Sequence, residues 1–405
     1  MEISSLRSLF TGIATKRLVQ VDLPAGSNQH EINGVSGMKE FFGANEKITG
    51  IIRWYYFSDD SPTLRENGEF TFYDSRAKSF SRTGRREWRL YYQGEFLAHA
   101  VPDDTLVLAR GVDGSIFGLV FEDRSGWLRA ALTLLGLEEA GPELKVLSET
   151  SISQQELVFA RSRILEELEL GIEIPSSATD TEIAERELER ATQENRDFPS
   201  TRRMADLAHE GVEVDLSDGD EALIRWLERE EQLFKAIEHI LVDGKITSGF
   251  SSVEDFIAYS LSVQNRRKSR MGYALQNHLS HLFEKRRLHF EAQVVTERKN
   301  KPDFVFPGKE EYHNTEFPAD LLVMLGVKAS CKDRWRQILP EAERIPLKHL
   351  CTLEAAISEN QTDEMSEQQV VLVLPAQFHL TYNDRQRRAL WSVEQFLGFV
   401  REKQQ

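Results

Sequence analysis

The period of the apolar residues differs between the two halves of the chain, and this difference constrains the fold more than any other sequence feature. Across residues 1–150, short alternating or aromatic runs recur, among them Lys47–Phe57 and Thr105–Arg110, and turn residues such as Asp113-Gly114 separate them. Alternation with a period of two, interrupted by turn signals, is typical of antiparallel strands. We therefore predict a β-rich barrel or sandwich for this part of the chain.

Residues 198–405 combine helical and strand patterns. Apolar residues follow a helical spacing over Asp220–Leu241, and further helices are predicted at Ser252–Val263, where acids follow a serine cap, and at Gly272–Glu284. The apolar run Leu321–Val327 indicates a strand. Helices that flank a mixed central sheet predict an α/β domain, so we predict a multidomain chain.

A strongly acidic stretch lies between the two predicted domains. Residues 164–197 contain eleven acidic residues and three arginines, a net charge of −8 and half of the −16 carried by the whole chain. We predict a helix over residues 153–170 and then an acidic linker with a short exposed helix, so that residues 151–197 connect the domains.

Composition excludes several classes of protein. Apolar residues make up 40% of the 405 residues, enough for two or three domains, but no run of about 18 apolar residues indicates a membrane span. Two cysteines, Cys331 and Cys351, cannot build a disulfide framework or a cysteine-rich zinc site. No nucleotide-binding glycine loop and no H-E-x-x-H motif occurs. We predict a soluble cytoplasmic protein with no membrane partner.

Two basic clusters contrast with the acidic total. Residues 71–92 carry six basic and two acidic residues, a net charge of +4, interleaved with aromatic residues. Residues 262–301 carry ten basic and three acidic residues, a net charge of +7. Such mixtures suit surfaces that contact phosphates and bases, although a solvated strand-and-loop surface has the same composition.

An Asp and a Lys at the ends of two predicted strands suggest a nuclease site. Asp303 leads the apolar run Phe304–Phe306, and Lys328 closes the run Leu321–Lys328. Phosphodiester hydrolysis needs a carboxylate-held Mg²⁺ and benefits from a nearby lysine, which is the core of the PD-(D/E)-x-K pattern. The pattern also fits a turn Asp and an unrelated surface Lys, and the usual second acid is replaced by Gly326.

Glu341 is the candidate for the missing acid. It lies thirteen residues after Lys328, within the helical-looking run Asp333–Ile345. A helix beside the strand would bring its carboxylate to the metal, although Pro340 removes one backbone donor and tends to kink such a helix.

Longer sequence segments in the second half of the chain give it a more specific resemblance. These segments are Gly249–Ala258, Asn265–Arg270 with Gly272, Lys301–Phe304 with Phe306-Pro307, Tyr312-His313 with Thr315–Pro318, and Val327-Lys328 with Cys331–Leu339 and Glu341-Ala342. Through them, residues from about 198 to 350 resemble the catalytic domain of the EcoRII-like restriction endonucleases, with a restriction-endonuclease-like α/β fold.

The resemblance implies roles for the site residues. It assigns catalytic roles to four of them: Asp303, Lys328, Glu341 and Tyr312. Asp303 and Glu341 would hold Mg²⁺, and a helix-borne glutamate in place of the usual acid is the family's own variation. This chain departs from the family at Gln276 and Ser280, where the family has glutamates, which leaves open whether one or two metal ions bind.

The resemblance also implies contacts with double-stranded DNA. Lys332, Asp333 and Arg334 match the segment that reads C·G pairs, and the chemistry fits because Arg and Lys pair with guanine whereas Asp accepts from cytosine N4. A charged helix N-terminus is the alternative interpretation. Further DNA contacts are expected from the second basic cluster, at Arg266, Arg267, Lys268 and Arg270.

Residues 14–135 resemble, more faintly, the effector-binding domain of the same family, a seven-stranded pseudobarrel with a DNA-binding cleft. This match rests on Lys16–Leu18, the loop Gly26–Gly34, Tyr73–Arg76 and the cluster Arg82–Arg89. The residues expected in the cleft are Gln29, His30, Asn33, Arg82, Arg85, Arg86, Glu87, Trp88 and Arg89. For His30, a structural role is the alternative.

The resemblance implies a Type II restriction endonuclease of the IIE kind that uses Mg²⁺. A homodimer would cut both strands of a CCWGG or CCNGG site 5′ of the first C, and a cognate DNA cytosine methyltransferase would be its genetic partner. The N-terminal domain would bind a second, effector site and restrain the catalytic domain. The alternative is a DNA-binding or methylation-state-reading protein with a weak or inactive nuclease domain.

Overall fold

The computed structural model describes most of the chain. The described residues are 10–24, 30–34, 37–42, 47–59, 61–77, 80, 84, 86–111, 113–135, 137, 139–147, 177–329, 331, 334–355 and 357–405. The chain divides into two compact units, residues 1–170 with 355–358 and residues 171–354 with 359–405. The predicted helix over residues 153–170 lies outside the described residues.

One eight-stranded sheet forms the first unit. Its strands are β1 (Phe10–Arg17), β2 (Glu31–Asn33), β3 (Ile48–Phe57), β4 (Leu64–Asp74), β5 (Trp88–Tyr92), β6 (Thr105–Gly111), β7 (Ile116–Phe121) and β8 (Lys145–Leu147), and its helices are α1 (Met38–Phe42) and α2 (Gly126–Leu135). The order is β2-β5-β4-β3-β7-β6-β1-β8. Neighbouring strands are antiparallel except for the parallel pair β3 and β7.

All eight strands contribute to one hydrophobic cluster, so the sheet curls around a shared core. The cluster contains Ile32 from one edge strand, Trp54 from a central strand and, partly buried, Val146 from the other edge strand. The β-rich fold follows from the alternation in the sequence, which places every second side chain on the buried face. The resemblance implied seven strands, whereas the described residues of this unit form eight.

Helices dominate the second unit before its sheet begins. They are α3 (Ala178–Gln193), α4 (Thr201–Gly211), α5 (Gly219–Ser248) and α6 (Val253–Lys285), followed later by α7 (Lys309–His313), α8 (Glu359–Glu367), α9 (Asp384–Arg387) and α10 (Val393–Lys403). The Ser252 side chain caps α6 by accepting from Asp255 N at 3.0 Å, as the sequence predicts. The helices predicted at Ser252–Val263 and Gly272–Glu284 are parts of this one helix, because burial of residues such as Leu275 and Phe283 outweighs the low helix propensity of Gly272.

Helix α3 occupies part of the predicted linker and packs into the second unit. Ala184 lies in one buried cluster with Leu207 of α4 and Phe234 of α5. The buried Glu187 carboxylate accepts two hydrogen bonds from Arg203, at 2.8 and 2.9 Å. The prediction of an exposed linker is therefore wrong for this helix. Its few apolar residues form a narrow buried face, which the strongly acidic composition of the segment does not reveal.

A five-stranded mixed sheet forms the rest of the second unit, as predicted. Its strands are β9 (Glu291–Ala292), β10 (Phe304–Phe306), β11 (Val323–Lys328), β12 (Lys348–Thr352) and β13 (Val370–Val373), in the order β13-β12-β11-β10-β9. Strands β11, β12 and β13 are parallel, whereas β10 is antiparallel to both of its neighbours. Strand β12 is not predicted from the sequence, since the buried polar residues Lys348 and His349 interrupt its apolar pattern. No helix in the described ranges is long and apolar enough to cross a membrane.

Candidate active site

Asp303 and Lys328 meet at one edge of the second sheet. Asp303 directly precedes β10 and is 7% exposed, and its Oδ2 accepts the Val327 backbone N–H at 2.6 Å and lies 3.5 Å from Lys328 Nζ. Because β10 and β11 are antiparallel neighbours, the start of one strand lies beside the end of the other. The strand ends therefore bring the two side chains together, as the sequence predicts.

Two glutamine side chains complete the surroundings of Asp303. Its Oδ1 accepts from Gln276 Nε2 at 2.6 Å and from Gln293 Nε2 at 3.1 Å. From the sequence, Gln276 is recognised only as a position where the family has a glutamate. Gln293 is not predicted at all; it follows β9 with a φ of 56°. With these two donors, each carboxylate oxygen of Asp303 accepts two hydrogen bonds.

Glu341 lies in a turn rather than on a helix, so the predicted helix over residues 333–345 is wrong. A 3-10 helix covers only Trp335–Ile338. Pro340 has no N–H to donate, and Ala342 has a left-handed φ of 49°. Together these two residues end the helical backbone, and Glu341 stands between them.

The Glu341 carboxylate is nevertheless coupled electrostatically to Asp303 and Lys328. Burial raises the pKa of Glu341 to about 7, with the positive charge of Lys328 opposing the shift and the negative charge of Asp303 adding to it. Such influences act over short distances. Within the described part of the chain, Glu341 Oε2 is buried without a hydrogen-bond partner, so this oxygen is free to bind a cation.

The backbone of β11 explains why the usual second acid is absent. A Cβ on Gly326 would lie 2.7 Å from Cγ2 of Ile338, and Ile338 is fully buried. No larger residue fits here unless the 3-10 helix moves. A glutamate at this position is therefore excluded by packing, and the acid has to come from elsewhere.

Gly326→Ala is expected to destabilise the second unit by about 1–3 kcal/mol, the usual cost of overpacking a core. The measurement is the urea midpoint of this unit. The double variant Gly326→Ala/Ile338→Leu should regain part of the loss, since leucine keeps the volume of the side chain but lacks the Cγ2 methyl group that the new Cβ would meet. An unchanged midpoint in the single variant would contradict the close packing.

Tyr312 does not bond to the other predicted catalytic residues. It is buried, and its hydroxyl donates to the Glu297 carboxylate, with Oε2 at 2.6 Å. Burial and the Glu297 carboxylate raise the pKa of Tyr312 above its ordinary value. Among the described residues, no hydrogen bond joins it to Asp303, Lys328 or Glu341, so this structure supports a role in packing, and its catalytic role stays a prediction.

The donor set suits a magnesium ion. Mg²⁺ is commonly held by one or two carboxylates, with water and substrate phosphate as the remaining ligands, and Asp303 and Glu341 offer two carboxylates. No group of three or more metal-ligating side chains occurs among the described residues. A cation at Asp303 would replace one of its four donors, of which Lys328 Nζ is the most distant, at 3.5 Å.

Arg270 faces another helix rather than solvent, so its assignment to a DNA contact needs correction, whereas Arg267 is 40% exposed at its side chain and its DNA contact stays a prediction. Arg270 is 4% exposed and bonds to the buried Glu231. Arg267 forms hydrogen bonds of 2.6 to 3.0 Å to the Glu238 carboxylate. Glu231 and Glu238 lie two turns apart on one face of α5, a spacing that the sequence displays.

The remaining predicted DNA contacts of the second unit are only partly described. The guanidinium of Arg266 lies 4.8 Å from the ring centroid of Phe198. Arg334 is exposed just before the 3-10 helix. Lys332 and Asp333 lie outside the described residues, as does the side chain of Lys268.

Trp88 belongs to the core of the first unit, which corrects its assignment to a DNA-binding cleft. It is 6% exposed, and its ring stacks on Phe72 at 4.9 Å. Along β5, Trp88, Leu90 and Tyr92 point inwards, whereas Arg89 and Tyr91 are less buried. The alternation of the strand therefore excludes Trp88 from an outward-facing cleft.

Two of the predicted cleft residues, Glu87 and Arg89, belong to an ion-pair network on the outer face. Arg89 bonds to Glu31 and to Glu87, the latter at 2.6 Å, and Arg76 pairs with Glu87 at 2.5 Å. The Arg86 guanidinium lies 4.5 Å from the ring centroid of Phe80.

The loop side of the predicted cleft is described only in part. Asn33 is exposed on β2. His30 has a φ of 48° and packs edge-on against Tyr92, with 5.4 Å between ring centroids, which agrees with the structural alternative. Gln29, Arg82 and Arg85 lie outside the described residues.

Comparisons with known proteins point to one family. The family model described as EcoRII C terminal matches residues 234–397. The Type II restriction enzyme EcoRII of Escherichia coli is 44% identical over 202 residues, which are 50% of this chain and 50% of that protein. The chain therefore spans about half the length of the curated relative that it matches.

Solved structures show weaker similarity. Metal-depleted Ecl18kI in complex with uncleaved DNA aligns with a TM-score of 0.43 and 19% identity, over 56% of this chain and 85% of that chain. A PspGI restriction endonuclease–substrate DNA complex aligns with a TM-score of 0.40 and 16% identity, over 57% of this chain and 93% of that chain.

Proposed function

We propose, from the premise that residues 234–397 form an EcoRII C-terminal family domain, that this protein is a Type II restriction endonuclease, a site-specific deoxyribonuclease. One observation carries the proposal: the buried Asp303 carboxylate lies 3.5 Å from Lys328 Nζ, and the Oε2 atom of Glu341, a residue electrostatically coupled to both, is buried without a hydrogen-bond partner within the described residues. This arrangement suits metal-assisted phosphodiester hydrolysis better than a purely structural ion pair.

The chain supplies ligands and one charge for this reaction. Asp303 and Glu341 would hold Mg²⁺, which when bound neutralises the phosphate and lowers the pKa of a water molecule. Lys328, 3.5 Å from Asp303, would place its ammonium where negative charge develops on the scissile phosphate. Gln276 and Gln293 keep the Asp303 carboxylate in one orientation through their amide donors.

The finer parts of the proposal rest on the resemblance and on surface chemistry. The substrate would be a CCWGG or CCNGG-like site cut 5′ of the first C, with the exposed Arg334 and the neighbouring Lys332 and Asp333 as readers. A homodimer would cut both strands, and a cognate cytosine methyltransferase would protect the host DNA. The relative named above is a Type II restriction enzyme, which supports these expectations for the matching domain.

The first unit would bind a second, effector DNA copy. As a pseudobarrel, it would present the outer face near Arg86, which pairs with Asp74, and Arg89, which pairs with Glu31 and Glu87. Binding of phosphates at this face would compete with those carboxylates, so the affinity should depend strongly on salt. The effector would release a restraint on the catalytic domain.

The test is a cleavage assay with Mg²⁺ on DNA that bears one or several CCWGG sites, with and without cytosine methylation. Cleavage at these sites is the expected result, and added site-bearing oligonucleotide should stimulate cleavage of single-site DNA. Absence of cleavage under every condition would refute the nuclease. Cleavage that ignores the oligonucleotide would refute the effector role alone.

The hydrogen bond from Gln276 favours a second candidate, a DNA-binding or methylation-reading protein with a weak nuclease. Gln276 donates an amide to Asp303 at 2.6 Å, where an acid would instead add negative charge for a cation. This candidate predicts tight binding to site-bearing DNA without strand cleavage, which the same assay distinguishes.

Metal binding is expected to weaken as the pH falls below about 7. The pKa of Glu341 is raised to about 7 by burial, and a protonated carboxyl cannot ligate a cation, so binding must release a proton at lower pH. Calorimetric titration of Mn²⁺ in buffers of different ionisation enthalpy should show proton release near pH 6.5 and little at about pH 8.5.

Glu341→Gln is the control for this titration. The variant should bind Mn²⁺ weakly and without the proton release assigned to Glu341. Equal proton release by the wild type and this variant would assign the titration to another group.

A further inference from the structure

The turn that carries Glu341 is fixed by side chains to which the sequence motifs assign no role. Lys348 is 5% exposed, and its ammonium donates to the backbone carbonyl oxygens of Glu341 and Ala342, the latter at 2.7 Å. Asn300 Nδ2 donates to the Pro340 carbonyl at 2.8 Å. Two side chains therefore hold three successive carbonyl groups of one turn.

The Glu341 carboxylate takes its position from this backbone. Its Oε2 has no hydrogen-bond partner among the described residues, so this oxygen does not anchor the side chain. Glu341 itself is not part of a helix, since the 3-10 helix ends at Ile338. Any movement of the turn would therefore move the carboxylate relative to Asp303.

The bonding of Lys348 suits an anchor. An ammonium has three donors and no acceptor, and a buried charge has to be satisfied by nearby acceptors. At Lys348 two of these acceptors are carbonyl oxygens of the turn itself. Since Lys348 begins β12, the third strand of the order β10-β11-β12, it ties the turn to the same sheet that carries Asp303 and Lys328.

We propose that Lys348 is a positioning residue that sets the distance between the Glu341 and Asp303 carboxylates for a divalent cation. The inference rests on the proposed nuclease function, and it adds a residue outside the Asp303–Lys328–Glu341 set. Removal of a partner that orients a metal ligand typically weakens metal affinity by roughly 10- to 100-fold.

The test is calorimetric titration of Mn²⁺ into the full-length wild type, Lys348→Met, Glu341→Gln and the double variant. Methionine keeps an unbranched side chain of similar length and removes the donors. Lys348→Met should weaken Mn²⁺ binding by about tenfold or more. In the Glu341→Gln background it should cause no further loss, because the effect passes through Glu341. Equal losses in both backgrounds, or no loss in either, would overturn the proposal.

Arg286→Met is the matched control for general destabilisation. Arg286 is also a shielded cation, 11% exposed at its side chain, that donates to a backbone carbonyl, that of Leu216. It lies ten residues beyond Gln276, about 15 Å along the axis of α6 and directly after its last residue. The variant should leave Mn²⁺ affinity unchanged, and a loss equal to that of Lys348→Met would overturn the proposal.

Asn300→Ala tests the same turn if Lys348→Met does not fold. Its bond to Pro340 lies at the surface, so the variant should fold and weaken Mn²⁺ binding several-fold, whereas wild-type affinity would overturn the proposal. Asp303→Asn distinguishes a failure of the proposed nuclease site from a failure of the role assigned to Lys348. If it does not reduce Mn²⁺ binding, the nuclease site and this inference both fail. If it does and Lys348→Met does not, only the role of Lys348 fails.

Discussion

Replacing Asp303 with Asn is expected to reduce DNA cleavage by about a thousandfold or more. The carboxylate is the centre of the site, with four donors and the nearby Glu341 and Lys328. Metal-assisted charge stabilisation is worth several kcal/mol, and each ~1.36 kcal/mol corresponds to a factor of ten in rate. Asn preserves the size of the side chain and removes its charge. Single-turnover cleavage of DNA with a CCWGG site is the measurement.

Two further measurements make this prediction specific. DNA binding without metal should persist in Asp303→Asn, because the described donors to this carboxylate are Gln276, Gln293, Val327 and Lys328, none of which is a proposed base reader. Asp320→Asn, at an exposed acid of the same unit, should cleave at the wild-type rate. Cleavage by Asp303→Asn at the wild-type rate would show that Asp303 has no role in the reaction.

Replacing Arg270 with Met is expected to destabilise the second unit by about 3 kcal/mol, the lower end of the range for breaking a buried ion pair. The variant leaves Glu231, which is 1% exposed, without its main partner, although Lys235 Nζ remains 3.9 Å away. The guanidinium also lies 4.1 Å from the ring centroid of Phe234. The measurement is the urea unfolding midpoint of this unit.

The pH dependence of this loss has a defined sign. Burial opposes ionisation of Glu231, but Arg270 and Lys235 outweigh it and hold the pKa of Glu231 below its ordinary value. The pair therefore contributes stability at neutral pH, and this contribution is lost as the pH falls through the lowered pKa. The difference between the wild type and Arg270→Met should accordingly shrink in acid.

Two variants distinguish this structural role from a DNA contact. Arg270→Met/Glu231→Leu should regain most of the stability, because a buried ion pair can be replaced by apolar residues at little cost. Arg334→Met, at an exposed arginine, should change the stability by less than about 0.5 kcal/mol. Weaker DNA binding by Arg270→Met with unchanged stability would restore Arg270 as a DNA contact.

Two patterns in the sequence already indicate which side chains are buried, although the predictions did not use them. The alternation of Trp88, Leu90 and Tyr92 along one strand indicates that Trp88 faces the core. The spacing of Glu231 and Glu238 by seven residues on α5 likewise indicates partners for the arginines of α6. In both cases the basic cluster was interpreted from its charge, and the period of each element decides which side chains face outwards.

Other features of the site depend on residues far apart in the chain. Gln276 and Asp303 are 27 residues apart and are joined only by the packing of α6 against the sheet. Glu341 was expected on a helix, and Pro340 and Ala342 place it in a turn instead. No local sequence pattern indicates that Lys348 anchors that turn, since a single lysine in a short strand does not belong to any repeating pattern.

The division into a β-rich and an α/β part, the Asp303–Lys328 pair and the resemblance that implies DNA cleavage can be read from the amino-acid order, because strand period, strand ends and motif segments are local. The burial of Arg270, the non-helical position of Glu341 and the two glutamine donors to Asp303 become visible only in the folded chain. Those outcomes depend on burial and on partners from distant segments, and the free energy of a charged side chain depends on its surroundings far more than on its neighbours in sequence.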